Sequence, residues 1–291
     1  ISVDTQGAVT LVVTLPDTGQ GAYTVLQQIV AETLGVPIDR VGVQVGDTDT
    51  LPFEAGVGGS KTTNSAGRAA YDAALETVAA LSEAAAAHWD CGVEQVQHVD
   101  GGFIGPGGQA LSFQEALELV TAGGVEPLYR MSQFEPPEAR TVTSFCAQVA
   151  EVEVDPETRQ VKILRFLSAH DVGTVLNPLS HRGQIKGGIV QGIGYALIEK
   201  LKLDQCHVIT GHFGDYKIPT ILDVPEITTL LLKEPAGPAP YQAKGIGETS
   251  NRPVAAAIVN AVADAVGVRI TSLPITAEKV LAGMKAKRLA S

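Results

Sequence analysis

Residues 1–35 read ISVDTQGAVTLVVTLPDTGQGAYTVLQQIVAETLG, and this stretch sets the fold class. Ile1–Val3 and Ala8–Leu15 are apolar runs around the turn Asp4-Thr5-Gln6-Gly7, which predicts a hairpin. Pro16 to Gly21 breaks the strand. Val25, Ile29, Val30 and Leu34 then recur at helical spacing, and Gly35 supplies the stop. The same order returns later. Gln148–Val154 and Gln160–Leu167 flank Asp155-Pro156-Glu157-Thr158, a second hairpin. His170-Asp171-Val172-Gly173 reads as loop. Asn177-Pro178 then pairs an N-cap with Pro at the first helical position and opens a helix towards Glu199. Hairpins feeding helices, rather than a regular alternation, predict an α+β fold with mixed sheets and packed helices. The recurrence suggests an internal duplication.

Between and beyond these stretches the pattern continues. Val41–Val45 reads as a strand, Gly46 to Ser60 as a long loop, and Thr63 to His88 as an Ala-rich helix. Val96–Val99 and Phe103–Ile104 flank Gly101-Gly102. Ser112-Phe113-Gln114-Glu115 is a capping box opening a helix to about Thr121. Gly123 to Arg140 is loop-like. Strands are expected near Val208–Thr210 and Ile227–Leu232. Ser250/Asn251 with Pro253 reads as an N-cap signal for a helix over Val254–Val266, stopped by Gly267.

Composition narrows the function. The 291 residues carry 21 Lys+Arg against 32 Asp+Glu, a net charge of −11, which argues against a nucleic-acid backbone binder. Hydrophobic residues at 45% allow an ordinary core, and no run of about 18 apolar residues predicts a membrane span. Cys91, Cys146 and Cys206 are far apart and form no CxxC, which argues against a zinc or iron–sulfur site on this chain and against a disulfide framework. The chain opens on Ile1 with no signal-like segment. It therefore reads as a piece or processed form of a longer protein, and cytoplasmic by its cysteine usage.

Four glycine-rich segments could carry chemistry: Gly19-Gln20-Gly21, Gly56 to Thr63, Gly187 to Gly194, and Gly245-Ile246-Gly247-Glu248. Three are expected at helix N-termini, where free backbone N–H groups and the helix dipole favour anions, phosphate above all. Ser60, Thr62 and Thr63 add hydroxyls. The plain alternative is helix caps alone for these three and tight helix packing for Gly187 to Gly194. Known nucleotide signatures fail: Ser60 precedes Lys61, and Ala55 stands where a P-loop needs its first Gly. The six histidines show no metal spacing. His170-Asp171 reads as a loop-capping pair before a catalytic dyad. Gln191 could bond a ligand or a neighbour. Glu248, in a glycine turn with Ile246, Pro253 and Val254 nearby, could be a general base or an exposed capping acid.

These segments, with Asp17–Gly21, Gly58–Gly67, Asp171–Leu197 and Ala243–Leu281, make the chain resemble the C-terminal molybdopterin-binding half of the large subunit of the xanthine dehydrogenase/aldehyde oxidase family. Most specific are Asn177-Pro178 through Gly183-Gln184, Gly187-Gly188 and Gln191-Gly192, and Lys244 to Glu248 followed by an Ala-rich helix. The resemblance implies molybdenum held by a pterin, with no protein ligands to the metal. It also implies oxidative hydroxylation of an N-heterocycle or aldehyde, with water as oxygen source and Glu248 as base. Gly19, Gln20 and Gly21, then Gly59, Ser60, Lys61 and Thr62, with Gln191 and Gly247, fall on cofactor contacts. Gly59 stands where some members carry Ala. The cofactor's tail is left open, with a cytosine dinucleotide as one form. Iron–sulfur clusters and FAD are expected on partner chains, alongside the other half of the molybdenum subunit, a small-molecule substrate, and no nucleic acid. A non-catalytic scaffold for molybdopterin or a phosphate ligand is the alternative. The expected layout is a first subdomain over 1–125, a connecting region over 126–147 and a second subdomain over 148–291, together one molybdopterin-binding unit.

Overall fold

A computed structural model describes residues 1–47, 49, 51–52, 54, 56–121, 127–135 and 144–290. The chain divides into two compact units, Ile1–Val142 with Pro235–Gly245, and Thr143–Glu234 with Ile246–Ser291. The segment 235–245 thus returns to the first unit before the chain re-enters the second.

In the first unit, β1 (Ser2–Val3) and β2 (Val9–Val13) form an antiparallel hairpin. Asp4 closes the turn by accepting from the Gln6 and Ala8 amides. β2 alternates buried and half-buried residues, so Val9, Leu11 and Val13 share the inward face. α1 (Ala22–Leu34) follows, with Leu26, Ile29, Val30 and Leu34 buried. It ends on Gly35, whose φ of 66° is the left-handed cap that glycine takes without strain. β3 (Val41–Val45) then returns parallel to β2. α2 (Thr62–Trp89) packs along α1, where Gly67 brings the two close: a Cβ there would stand 3.1 Å from Ile29. A small sheet of β4 (Gln97–Val99), β5 (Gly102–Ile104) and β6 (Ala110–Leu111) leads into α3 (Phe113–Val120), opened by the expected Ser112–Glu115 capping box.

One strand lies where the sequence suggested loop. β7 (Leu128–Tyr129) pairs with β1 and makes the order β3-β2-β1-β7. Its two residues sit between prolines and charges, too short to show a period of two. The rest of the expected connecting loop, at 122–126 and 136–143, lies outside the described residues.

The second unit repeats the topology. β8 (Cys146–Val154) and β9 (Val161–Asp171) are antiparallel, α4 (Pro178–Ile193) crosses over, and β12 (Glu226–Leu232) lies parallel to β9. Between them β10 (Leu203–Asp204) pairs with β11 (His207–Val208), slightly earlier than the expected strand. α5 (Val254–Val266) packs on β8, and Phe166, Ile185, Ile189, Ile258 and Val262 form the centre of this core. Both units therefore run hairpin, helix, parallel strand, helix. α6 (Ala277–Ala290) was not signalled by sequence: its hydrophobic face is thin, with Val280 as its fully buried anchor.

Two expectations are corrected. His170 and Asp171 end β9 rather than forming a loop, so consecutive side chains face opposite ways and cannot form a dyad. His170 is buried and meets Ser168 Oγ at 2.6 Å through Nε2. Ser250 and Asn251 do not cap α5. The helix opens at Val254 after Pro253 with no side-chain cap, and Ser250 is buried.

Candidate cofactor-binding site

The first glycine segment closes on itself. Gln20 Oε1 accepts from the Thr18 amide at 2.6 Å and from the Thr18 hydroxyl at 2.9 Å. Asp17 sits over the start of α1 and accepts from the Gly19 amide at 2.8 Å, the Tyr23 amide at 3.3 Å and the Gly21 amide at 3.4 Å. Burial pushes the Asp17 carboxyl up, but the backbone N–H bonds from Gly19, Tyr23, Gly21 and Ala22 outweigh it and hold the acid below its ordinary range. The anion position at this helix start therefore already holds the chain's own carboxylate.

The second segment differs. Gly56, Gly59 and Ser60 all take left-handed φ values, of 78°, 75° and 59°, which winds the backbone tightly ahead of α2. A side chain at Gly58 or Gly59 would meet nothing within 4 Å, so open space faces this backbone. α2 has 28 residues, no side-chain cap at Lys61 and no acid in its first turn. A cavity of about 320 Å³ lies alongside, lined among others by Lys61, Ser65, Leu11, Val13 and Glu54. Gly245, also in the first unit, packs directly on this loop: a Cβ on it would stand 2.0 Å from the Ser60 carbonyl oxygen.

In the second unit, the third segment packs against the residues that follow the fourth. Gly188 leaves room for Ser250, whose Oγ would lie 2.1 Å from an added Cβ, and Gly192 leaves room for Val254. Close packing therefore explains these two glycines, as the plainer sequence alternative held. Gln191 is exposed, and its Oε1 accepts from Asn251 Nδ2 at 2.8 Å. That leaves the amide NH₂ of Gln191 as the end with donors to offer a ligand. Gly247 is exposed. Glu248 is also exposed, rather than lodged among Ile246, Pro253 and Val254, and its Oε2 pairs with Arg252 at 2.6 Å.

Sequence reading missed the side chains that hold the Glu248 turn. Cys146 and Gln148 on β8 reach Thr249 and Ser250, and Tyr195, in the π-helical turn Gly194–Ile198, reaches Asn251. One signal was available: Gln148 occupies an inward position of an alternating strand, where an apolar residue belongs.

The pterin expectation meets a consistent donor set in the first unit. Backbone and hydroxyl groups at 59–62 stand at the start of α2, the kind of position suited to a phosphate. Among the described residues no group of three or more His, Cys, Asp or Glu could hold a metal ion directly. No helix among them is long and apolar enough to cross a membrane.

Comparison with known proteins gives the family. A family profile described as a molybdopterin cofactor-binding domain matches residues 1–225. The aldehyde oxidoreductase molybdenum-binding subunit PaoC of Escherichia coli K12 is 33% identical, over 97% of this chain and 38% of its own length. Quinoline 2-oxidoreductase from Pseudomonas putida 86 superposes with a TM-score of 0.87 at 30% identity, over 98% of this chain and 37% of that one. CO dehydrogenase from Oligotropha carboxidovorans superposes with a TM-score of 0.90 at 26% identity, over 100% of this chain and 37% of that one. The chain thus spans under two fifths of the length of the relatives it matches. With most of its length inside that profile, and with the α+β architecture and glycine loops described above, the chain belongs to the molybdopterin cofactor-binding domains, as a molybdopterin-binding part of the xanthine dehydrogenase/aldehyde oxidase family.

Proposed function

We propose that this chain is the cofactor-holding and base-bearing portion of the molybdenum subunit of a hydroxylase acting on an N-heterocycle or an aldehyde. The observation that carries the proposal is the wound loop at 58–62, with open space before its glycines, at the start of a long helix with no acid in its first turn. Gly59, Ser60, Lys61 and Thr62 would hold the cofactor's phosphate. Gly19, Gln20, Gly21, Gln191 and Gly247 would contact the rest of it, Gln191 through its amide NH₂. When bound, the cofactor supplies a two-electron oxidation in which oxygen from water replaces hydrogen on an electron-poor carbon. Glu248 takes up the proton that this oxygen gives up. To do so it must leave Arg252, and an exposed pair of this kind is worth roughly 0.2–1 kcal/mol, so the release costs little.

The relatives' names include a molybdenum-binding subunit, a subunit gamma and a large subunit, which supports a multisubunit assembly. The remaining portion of the molybdenum subunit, an iron–sulfur subunit and a flavin subunit complete it in this proposal, with the cofactor carrying a cytosine dinucleotide and the assembly in the cytoplasm. The surface pair of Glu248 with Arg252 is also what a non-catalytic scaffold would show. Turnover in water enriched in heavy oxygen separates the two. The hydroxylase places the label in the hydroxylated product. Unlabelled product, or no product from any heterocycle or aldehyde offered to the assembled complex, contradicts the proposal.

A further inference from the structure

The turn after Glu248 satisfies its backbone carbonyls only partly from within, the Asn251 carbonyl accepting from the Val254 amide at 3.3 Å. The bond from the Asn251 amide to the Glu248 carbonyl is long, at 3.4 Å, and α5 begins only at Val254. Carbonyls withdrawn from water need partners, and at this part-buried turn side chains supply them. Cys146 Sγ donates to the Thr249 carbonyl at 3.3 Å, Gln148 Nε2 to the Ser250 carbonyl at 2.7 Å, and Tyr195 Oη to the Asn251 carbonyl at 2.6 Å. Three consecutive carbonyls are tied by three side chains from two different elements.

We infer that Cys146, Gln148 and Tyr195 form a clamp that positions Glu248, so that they act on turnover without touching the reacting atoms. The inference rests on the reading of Glu248 as the base. Gln148 is itself fixed from behind. Its Nε2 also donates to Ser168 Oγ at 3.0 Å, and Ser168 Oγ meets His170 Nε2 at 2.6 Å, with both residues buried on the inward face of β9. Burial lowers the His170 pKa, which favours the neutral ring beside the Ser168 hydroxyl. Burial also raises the Cys146 thiol and the Tyr195 phenol, so both remain protonated donors. Gly188 completes the arrangement by leaving room for Ser250, the middle residue of the clamped run.

A clamp that only stabilises the fold and a clamp that aims a carboxylate differ in what they move. The test uses Tyr195→Phe, which deletes one oxygen and keeps the ring, and Gln148→Met, which keeps the length and deletes the donor. Both are assembled into the complete enzyme beside Glu248→Gln. Hydrogen exchange of the 247–252 backbone amides is followed by mass spectrometry, together with kcat and KM. The expected result for each clamp variant is exchange at least tenfold faster over 247–252 and kcat lowered about tenfold or more, with KM within twofold and molybdenum content unchanged. Misaiming a reacting group by a fraction of an ångström acts on kcat in this way. Exchange and kcat both within twofold of wild type in the two variants would overturn the clamp. Faster exchange with unchanged kcat, in an enzyme that Glu248→Gln disables, would overturn its positioning role. Faster exchange in an enzyme that survives Glu248→Gln supports the clamp and removes the base assignment, because exchange reports the turn directly.

Discussion

Glu248→Gln in the assembled enzyme lowers kcat by about 10²–10⁴, the range that a positioned general base contributes. The substitution keeps the size and hydrogen-bonding outline of the side chain and removes its capacity to take a proton. It also breaks the ion pair with Arg252, made by a 2.6 Å contact between exposed groups. That loss is worth roughly 1 kcal/mol at most. A 10³-fold fall in kcat corresponds to about 4 kcal/mol, so the broken pair cannot account for it. Steady-state kinetics with molybdenum content measured in parallel decide the matter. A variant that keeps its metal and turns over within about tenfold of wild type shows that Glu248 is not the base.

Gly245→Ala empties the site without unfolding the chain. The added Cβ would lie 2.0 Å from the Ser60 carbonyl oxygen, and a real Cβ needs at least about 3 Å. The obstacle is backbone, which cannot swing aside as a flexible side chain would, so the loop carrying Gly59 and Ser60 must shift. Ser60 is already held at a φ of 59°, unusual for a residue with a side chain, which leaves the loop few alternative conformations. Overpacking of this kind costs typically 1–3 kcal/mol, which a folded unit can absorb. A loop displaced by about an ångström no longer aims its donors, and the expected result is molybdenum below a tenth of the wild-type content with near-native circular dichroism. Gly211→Ala is the control, since a Cβ there meets nothing within 4 Å, and it should retain the metal. Full molybdenum content in Gly245→Ala would show that the loop at 58–62 does not hold the cofactor.

The sequence made the elements visible wherever local chemistry decides them. The turn at Asp4–Gly7, the box at Ser112–Glu115, the Asn177 cap, whose side chain accepts from the Ser180 amide, and the stops at Gly35 and Gly267 all form as read. β7 and α6 were invisible because two residues carry no period and because α6 has almost no amphipathic contrast. His170 misled for a different reason. A histidine beside aspartate looks like polar loop, yet it sits inward on β9 because Ser168 two residues earlier supplies its partner on the same face.

At the site, the glycines were legible as a set but not their separate tasks. Gly188 and Gly192 serve packing, Gly58 and Gly59 face space that a side chain would enter, and Gly245 lets two segments touch. Which loop had its own carboxylate could not be read from glycine spacing, because Asp17 reaches the amides through the fold of its turn. The clamp was hidden by distance: Cys146 and Gln148 stand about a hundred positions before the carbonyls they hold.

Elemental analysis of the native complex, with its co-purifying chains, tests the central claim most directly. The account predicts molybdenum near one per copy of this chain, with iron carried by partner chains. A fully assembled complex without molybdenum would contradict it and leave the loop at 58–62 as a site for some other phosphate-bearing ligand.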